Sequence, residues 1–204
     1  MENSKIKEKF GDFYIADETT YKMGIDIRIT NIISERFKDK IVLETCTGAG
    51  FSTIPLAGSA KHVYTVEIVN AHQEQSIKNI SKANLSDNVT FIPGDVMDAK
   101  LLSSLPEINS AFLDPDWADS DLNHSYRFIN SNTKPPADIL LKTIFQLTNN
   151  IAIILPPFID KSEFTDLPLH ELQRIYLGNE PVLYCLYFGE LAKIFGETDL
   201  RINI

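Results

Sequence analysis

The apolar run Ile41-Val42-Leu43 ends on Glu44 and opens at once into Thr45-Cys46-Thr47-Gly48-Ala49-Gly50, and no other feature constrains the fold as tightly. An uninterrupted apolar run is what a strand covered on both faces needs, and such strands belong to parallel sheets. Small residues directly after it mark a tight strand-to-helix turn. The pattern then repeats. Val63–Ile68 reads as a second strand, and Ala71, Gln75, Ile77, Ile80 and Ala83 follow at roughly helical spacing. Val89–Ile92, Ser110–Asp114 and Ile151–Leu155 read as three more strands, the last preceded by a helix over Pro136–Leu147 with proline in its first turn. Upstream, Ile25, Ile29, Ile32, Ile33 and Phe37 form the stripe of an amphipathic helix. The tail changes character: ELQRIYL and LYCLYF, separated by GNEP, predict an antiparallel hairpin.

Alternating strands and helices of this order predict an α/β fold, a Rossmann-like doubly wound, mostly parallel sheet of seven strands closed by the C-terminal antiparallel hairpin. One domain over residues 24–204 is expected, with a polar N-terminal extension, residues 1–23, placed to cover the site. The formal net charge of −9, with basic residues scattered as Lys5, Lys7, Lys9, Lys38, Lys40, Lys78 and Lys82, argues against a general nucleic-acid coat. It leaves room for a locally specific RNA contact. The apolar run Ile151–Leu155 stops at Pro156-Pro157, far short of the roughly 18 residues of a spanning helix, so no membrane segment is expected. Cys46 and Cys185 offer neither a disulfide framework nor paired metal spacing, and with no apolar leader the expected location is cytoplasmic. The dispersed His62, His72, His124 and His170 suggest no metal site either.

In an open parallel sheet, ligands sit beyond the carboxyl ends of the strands, over the turn after the first one. Gly48 and Gly50 allow a sharp turn and a close approach there, although a GxG alone is equally a plain strand-to-helix turn. The acids add more. Glu67 ends the second strand 23 positions after Glu44, near the spacing at which a carboxylate grips two ribose hydroxyls. A dinucleotide would want a third glycine near position 53, where this chain has Thr53, and it leaves Glu44 unexplained. S-adenosylmethionine carries an ammonium group that suits Glu44 and an adenine amino group that Asp95, after the third strand, is placed to approach. The competing reading is three unrelated capping acids.

The segments VLETCTGAG, TVE and GDV resemble the class I S-adenosylmethionine-dependent methyltransferases. More narrowly, FGDFYIADETTY, VLETCTGAGFST, VTFIPGDV, FLDPDW, LTNNIAIILP and LYCLYFGEL resemble the trimethylguanosine synthase family of RNA cap guanine-N2 methyltransferases and its prokaryotic relatives, over roughly Phe10 to Leu191. The resemblance implies that Glu44, Gly48 and Gly50 line the methionine end of the cofactor, that Glu67 holds its ribose and that Asp95 faces its adenine. It also implies an RNA or nucleotide partner with guanine N2 as the methyl acceptor.

Asp114-Pro115-Asp116-Trp117, at the exit of the fourth strand, is the candidate catalytic segment, with Asp114, Pro115 and Trp117 as its working residues. The lone pair of an exocyclic amine is delocalised into its ring. A carboxylate and a fixed backbone carbonyl that accept its two N–H bonds therefore turn the nitrogen toward the methyl group, and positioning supplies most of the rate. A tryptophan beside it can stack on a flat base, more strongly when the base is cationic. The family pattern has a second proline where this chain has Asp116, and Gly-Gly-Pro where it has Ala118-Asp119-Ser120. A proline locks φ, which Asp116 does not do. Asp114, Asp116, Asp119 and Asp121 read either as a solvated acidic loop or as a pocket that prefers a cation. Two alternatives to RNA methylation follow: a methyltransferase of a protein or small cationic amine, and a cofactor-binding partner subunit without activity.

Overall fold

A computed structural model describes residues 8–117 and 126–203, so Lys5, Lys7, Asp119, Asp121 and His124 lie outside the described residues. The chain divides into two compact units, Met1–Ser110 and Ala111–Ile204.

The first unit begins with helix α1 (Glu18–Met23), started by Asp17, whose carboxylate accepts from the Thr20 N–H at 2.9 Å. Helix α2 (Ile27–Ser34) is capped by Asp26 in the same way and continues as a 3-10 turn to Phe37. Its buried stripe is Ile25, Ile29, Ile33 and Phe37, a strict four-residue period, whereas Ile32 is 43% exposed. Strands β1 (Ile41–Thr45), β2 (His62–Glu67) and β3 (Val89–Pro93) pair in parallel with β2 in the middle. The register sets Glu44 beside Thr65 and Glu67 beside Pro93, so the expected acids reach one end of the sheet. Helix α3 (Thr53–Ser59) follows the glycine turn and tolerates Pro55 because the N–H groups of a first turn have no partner within the helix. Helix α4 (Asn70–Lys82) joins β2 to β3, and α5 (Ala99–Ser104) follows β3. The face that α4 buries is not the expected one. It buries the polar Gln73, Ser76 and Asn79 together with the expected Ile80 and leaves Ile77 44% exposed, and Asn79 meets the backbone of Ile15 and Ala49 there.

The second unit holds β4 (Ser110–Leu113, its first residue the last of the first unit), α6 (Ala137–Ile144), β5 (Ile151–Leu155), β6 (His170–Leu177), β7 (Glu180–Phe188) and β8 (Gly196–Ile202). Their order is β4-β5-β7-β6-β8. β4 and β5 are parallel, and β5, all of it buried, pairs antiparallel with β7. β6 and β7 form the expected hairpin, with the turn at Gly178-Asn179 and Gly178 at φ +59°. The TNN and YFGEL segments meet here. Glu190 N–H donates to Asn150 Oδ1 at 2.8 Å, and a Cβ on Gly189, at φ +62°, would lie 2.6 Å from the Asn149 carbonyl. These two motifs therefore carry a packing requirement.

Among the described residues there are eight strands where seven were expected. β8 runs parallel to β6 and carries charge at alternate positions, which removes the apolar run that reveals a strand. Ion pairs of Arg174 with Asp199 (2.7 Å) and Glu197 (3.1 Å), and of Lys161 with Glu197 (2.7 Å), hold it in place.

Candidate functional site

Around the glycine turn of the first unit the structure gathers Glu44, Gly48, Gly50 and Glu67. Glu44 is buried, and its Oε2 accepts from Thr53 Oγ1 at 2.7 Å. Burial pushes its carboxyl up to about 7, against the opposing Thr65 and Thr53 hydroxyl bonds, and the negative Glu67 adds to the rise. Glu67 bridges the turn to the end of β2, accepting from the Gly48 N–H at 2.9 Å on one oxygen and from the Val69 N–H at 2.8 Å on the other. Each oxygen keeps a lone pair for a further donor. Cys46, Gly48 and Gly50 all have positive φ, at +61°, +55° and +83°. Gly50 is required for packing: a Cβ there would lie 2.6 Å from Ser76 Oγ, so the missing side chain is what lets α4 close on the turn. Asp95 stands one strand further on, exposed, with its carboxylate accepting from the Met97 N–H at 2.8 Å. The adjacent Gly94 N–H donates to the Glu67 carbonyl at 3.0 Å, tying the exits of β2 and β3.

Residues 10–21 pack against this turn. Phe10 and Tyr14 pack on Ala49 and Phe51, with the Phe10 and Phe51 rings stacked at 4.0 Å. Asn79 of α4 ties the layers together, accepting from the Ile15 N–H (2.7 Å) and donating to the Ile15 (2.8 Å) and Ala49 (2.9 Å) carbonyls. Gln75 clasps Asp17 through its backbone N–H and its carboxylate, and Lys82 donates to the Phe13 carbonyl. At this clasp, Tyr14 Oη, Thr20 Oγ1, Gln73 Nε2 and Ser76 Oγ are buried and have no hydrogen-bond partner among the described residues. Desolvation raises the Tyr14 phenol. Two carboxylates with spare lone pairs and several unpartnered donors fit a ligand with hydroxyl, ammonium and carboxylate groups, which is the donor set S-adenosylmethionine requires.

The tetrad lies in the second unit. Pro115 is buried, and Asp114, Asp116 and Trp117 are half-buried. Asp116 forms an isolated antiparallel bridge with Lys134: its N–H donates to the Lys134 carbonyl at 2.8 Å, and the Lys134 N–H donates to its carbonyl at 2.9 Å. A proline at 116 has no N–H and would forfeit the first bond. Backbone pairing thus restrains this segment without a proline at 116. Tyr126 Oη donates to the Trp117 carbonyl at 3.1 Å, and the two rings stand 6.5 Å apart at 62°. Trp117 Nε1 is buried and finds no partner among the described residues. The segment that carries Lys134 is itself held by side chains. Asp138 accepts from the Asn130 N–H, and Glu163 accepts from the N–H groups of Phe128 and Ile129 and from Arg127 Nε.

Sequence reasoning missed Thr20, Ser76 and Asn79 at the turn and Tyr126 and Lys134 at the tetrad. Gln73, Ser76 and Asn79 recur every three residues, so a polar stripe at helical spacing was the available signal for the first group. Lys134 acts through its backbone and gives no signal.

A model of the family described as RNA cap guanine-N2 methyltransferase matches residues 39–177. A Methanothermobacter thermautotrophicus protein described as a cobalt-precorrin-6B C(15)-methyltransferase (decarboxylating) is 27% identical over 112 residues, covering 55% of this chain and 56% of that protein. A ribosomal RNA small subunit methyltransferase A of Desulfotalea psychrophila is 33% identical over 95 residues, 45% of this chain and 28% of that one. The matched stretch therefore spans about half or less of these relatives. Among solved structures, a Porphyromonas gingivalis W83 protein described as a methyltransferase superimposes with a TM-score of 0.75 at 17% identity, covering 91% of this chain and 47% of that one. TrmK of M. capricolum, solved with S-adenosyl-homocysteine, gives 0.57 at 12% identity over 85% of this chain and 70% of its own. Likeness at these identities establishes the shared fold.

Proposed function

The chain belongs to the RNA cap guanine-N2 methyltransferase family, a family of S-adenosylmethionine-dependent methyltransferases, and from that membership we propose that it methylates an exocyclic amine, N2 of guanine in RNA. The observation that carries the reading is the tetrad inside the matched stretch, with its backbone pinned by the Asp116–Lys134 bridge. Restraint of this segment is what an amine acceptor needs, since the ring-conjugated nitrogen must be turned before it can attack.

The cofactor supplies a methyl group on a sulfonium sulfur. With the cofactor bound, the amine lone pair would take the methyl group while the sulfur left with the C–S electron pair, and the nitrogen would give up one proton to this chain. In this reading Asp114 accepts one amine N–H, holds the nitrogen in line and takes up that proton, while the Pro115 carbonyl accepts the second N–H. Trp117 supports the flat face of the base, and its unpartnered Nε1 offers the acceptor one donor. Glu44 and Glu67 serve the ammonium and ribose of the cofactor, and Asp95 its adenine amino group. Gly48 and Gly50 shape the turn on which it rests.

Transfer of labelled methyl groups to total RNA, to a protein pool and to small amines tests the proposal. We expect label in RNA, recovered as N2-methylguanosine after digestion. Label in protein or small amines alone would replace RNA as the acceptor, and cofactor binding without transfer to any pool would mark a non-catalytic subunit. Asp114→Ala should lower kcat by at least about a hundredfold, the scale of a lost proton-transfer contact, and leave cofactor affinity unchanged. Equal losses in both would make Asp114 structural.

A further inference from the structure

Phe158 is 75% exposed, more than any other large apolar side chain among the described residues. Its backbone is fixed on both sides. Pro156 and Pro157 restrict φ before it. After it, Ile159 is buried and donates its N–H to the Pro156 carbonyl at 3.5 Å, and Asp160 caps the next 3-10 turn by accepting from the Ser162 N–H at 2.9 Å. A ring held in water on such a turn gains free energy when a partner covers it, and little ordering opposes the contact. The turn is also well placed. β5 lies beside β4 in parallel, with Leu113 opposite Ile153, so Pro156–Phe158 and the tetrad leave the same end of neighbouring strands about 5 Å apart.

Two observations identify what covers the ring. It is solitary: Pro156, Ile159 and Phe164 are buried, and Asp160 and Ser162 are exposed and polar, so the segment offers one flat apolar face rather than the patch a protein partner uses. Beside the same tetrad stands a cation. Lys134 bridges Asp116 through its backbone, is exposed, and makes no side-chain ion pair among the described residues. A flat ring and an unpaired ammonium match the base and the phosphate of a nucleotide. We infer that Phe158 is an RNA-binding residue that stacks on the base next to the acceptor guanosine, so that this neighbour must be unpaired. The inference rests on the RNA reading above and adds the form of the substrate: a single strand at the guanosine, with one flanking base turned out onto the ring.

Calorimetry on the protein loaded with S-adenosylhomocysteine compares the trinucleotide ApGpA, the same trinucleotide with abasic flanks, and guanosine 5′-monophosphate. We expect ApGpA to bind most tightly. Phe158→Ala should weaken it about fivefold to a hundredfold, the range for one base stacked on an aromatic side chain, and bring it level with the abasic probe. Phe158→Trp should keep the preference for ApGpA, and Phe158→Leu, apolar but not flat, should lose it. The melting temperature of Phe158→Ala should match that of the parent, since an exposed ring holds no packing. Equal affinity of the parent for ApGpA and the abasic probe, a Phe158→Ala variant that keeps the full preference, or a lower melting temperature with all three affinities reduced alike would overturn the assignment. In those cases transfer of methyl groups to RNA still upholds the RNA reading, and only the assignment fails. If the parent binds none of the three probes, the RNA reading fails and the assignment with it.

Discussion

Glu44 has no cation beside it in the described structure, and its carboxyl is raised to about 7 by burial. A raised carboxyl binds its proton more tightly folded than unfolded, so its stabilising contribution is fully present below about pH 4.3 and is lost as pH rises toward 7. Glu44→Gln removes that dependence. In chemical unfolding at a series of pH values, the parent should lose on the order of 2–3 kcal/mol between pH 4.5 and 7.5 relative to the variant. Parallel stability curves for the two proteins would show that Glu44 does not titrate in this window. The motif that made Glu44 legible is local: an apolar run, an acid and a glycine turn, all within ten residues. What Gly50 does was not legible, because its neighbour Ser76 lies elsewhere in the chain and only the fold brings them together.

Helix α4 shows the same limit for a whole element. Its existence followed from helical spacing, but the face it buries did not, because Asn79 bonds to Ile15, 64 positions away. Apolar periodicity reports which side of a helix avoids water, and it is silent when that side avoids water through hydrogen bonds. Strand β8 was missed for a related reason: its ion pairs replace apolar cover. The tetrad was visible as a motif, whereas the bridge that fixes it uses only backbone atoms of Asp116 and Lys134. Asn79→Ala should cost about 2–4 kcal/mol, since three bonds are lost and the Ile15 and Ala49 groups they served are left unpaired. Residues 8–24 should also become the first site of proteolytic cleavage. A variant within about 0.5 kcal/mol of the parent, with unchanged cleavage, would mean that the clasp does not depend on this amide.

For the molecule as a whole, the parallel and hairpin strands were readable from patterning and agree with the fold of the solved relatives. Among the described residues, β8 borders the sheet beside β6, whose Leu172 and Ile175 are buried. Removing residues 193–204 would strip that border and expose unpaired N–H and C=O groups along β6, a template for pairing with another chain. Size-exclusion chromatography should then show more concentration-dependent self-association than the 204-residue chain does, and an unchanged elution volume would show that β6 needs no cover. One further consequence comes from where the two units divide. Every residue of the clasp and of the glycine turn precedes Ser110, and the tetrad follows Ala111. Chains are synthesised from the N-terminus at about 5–20 residues per second, so every residue proposed to hold the cofactor is made before any residue of the tetrad. The order of synthesis thus follows the order of the two proposed roles along the chain, with the methyl-donor side first and the acceptor side second.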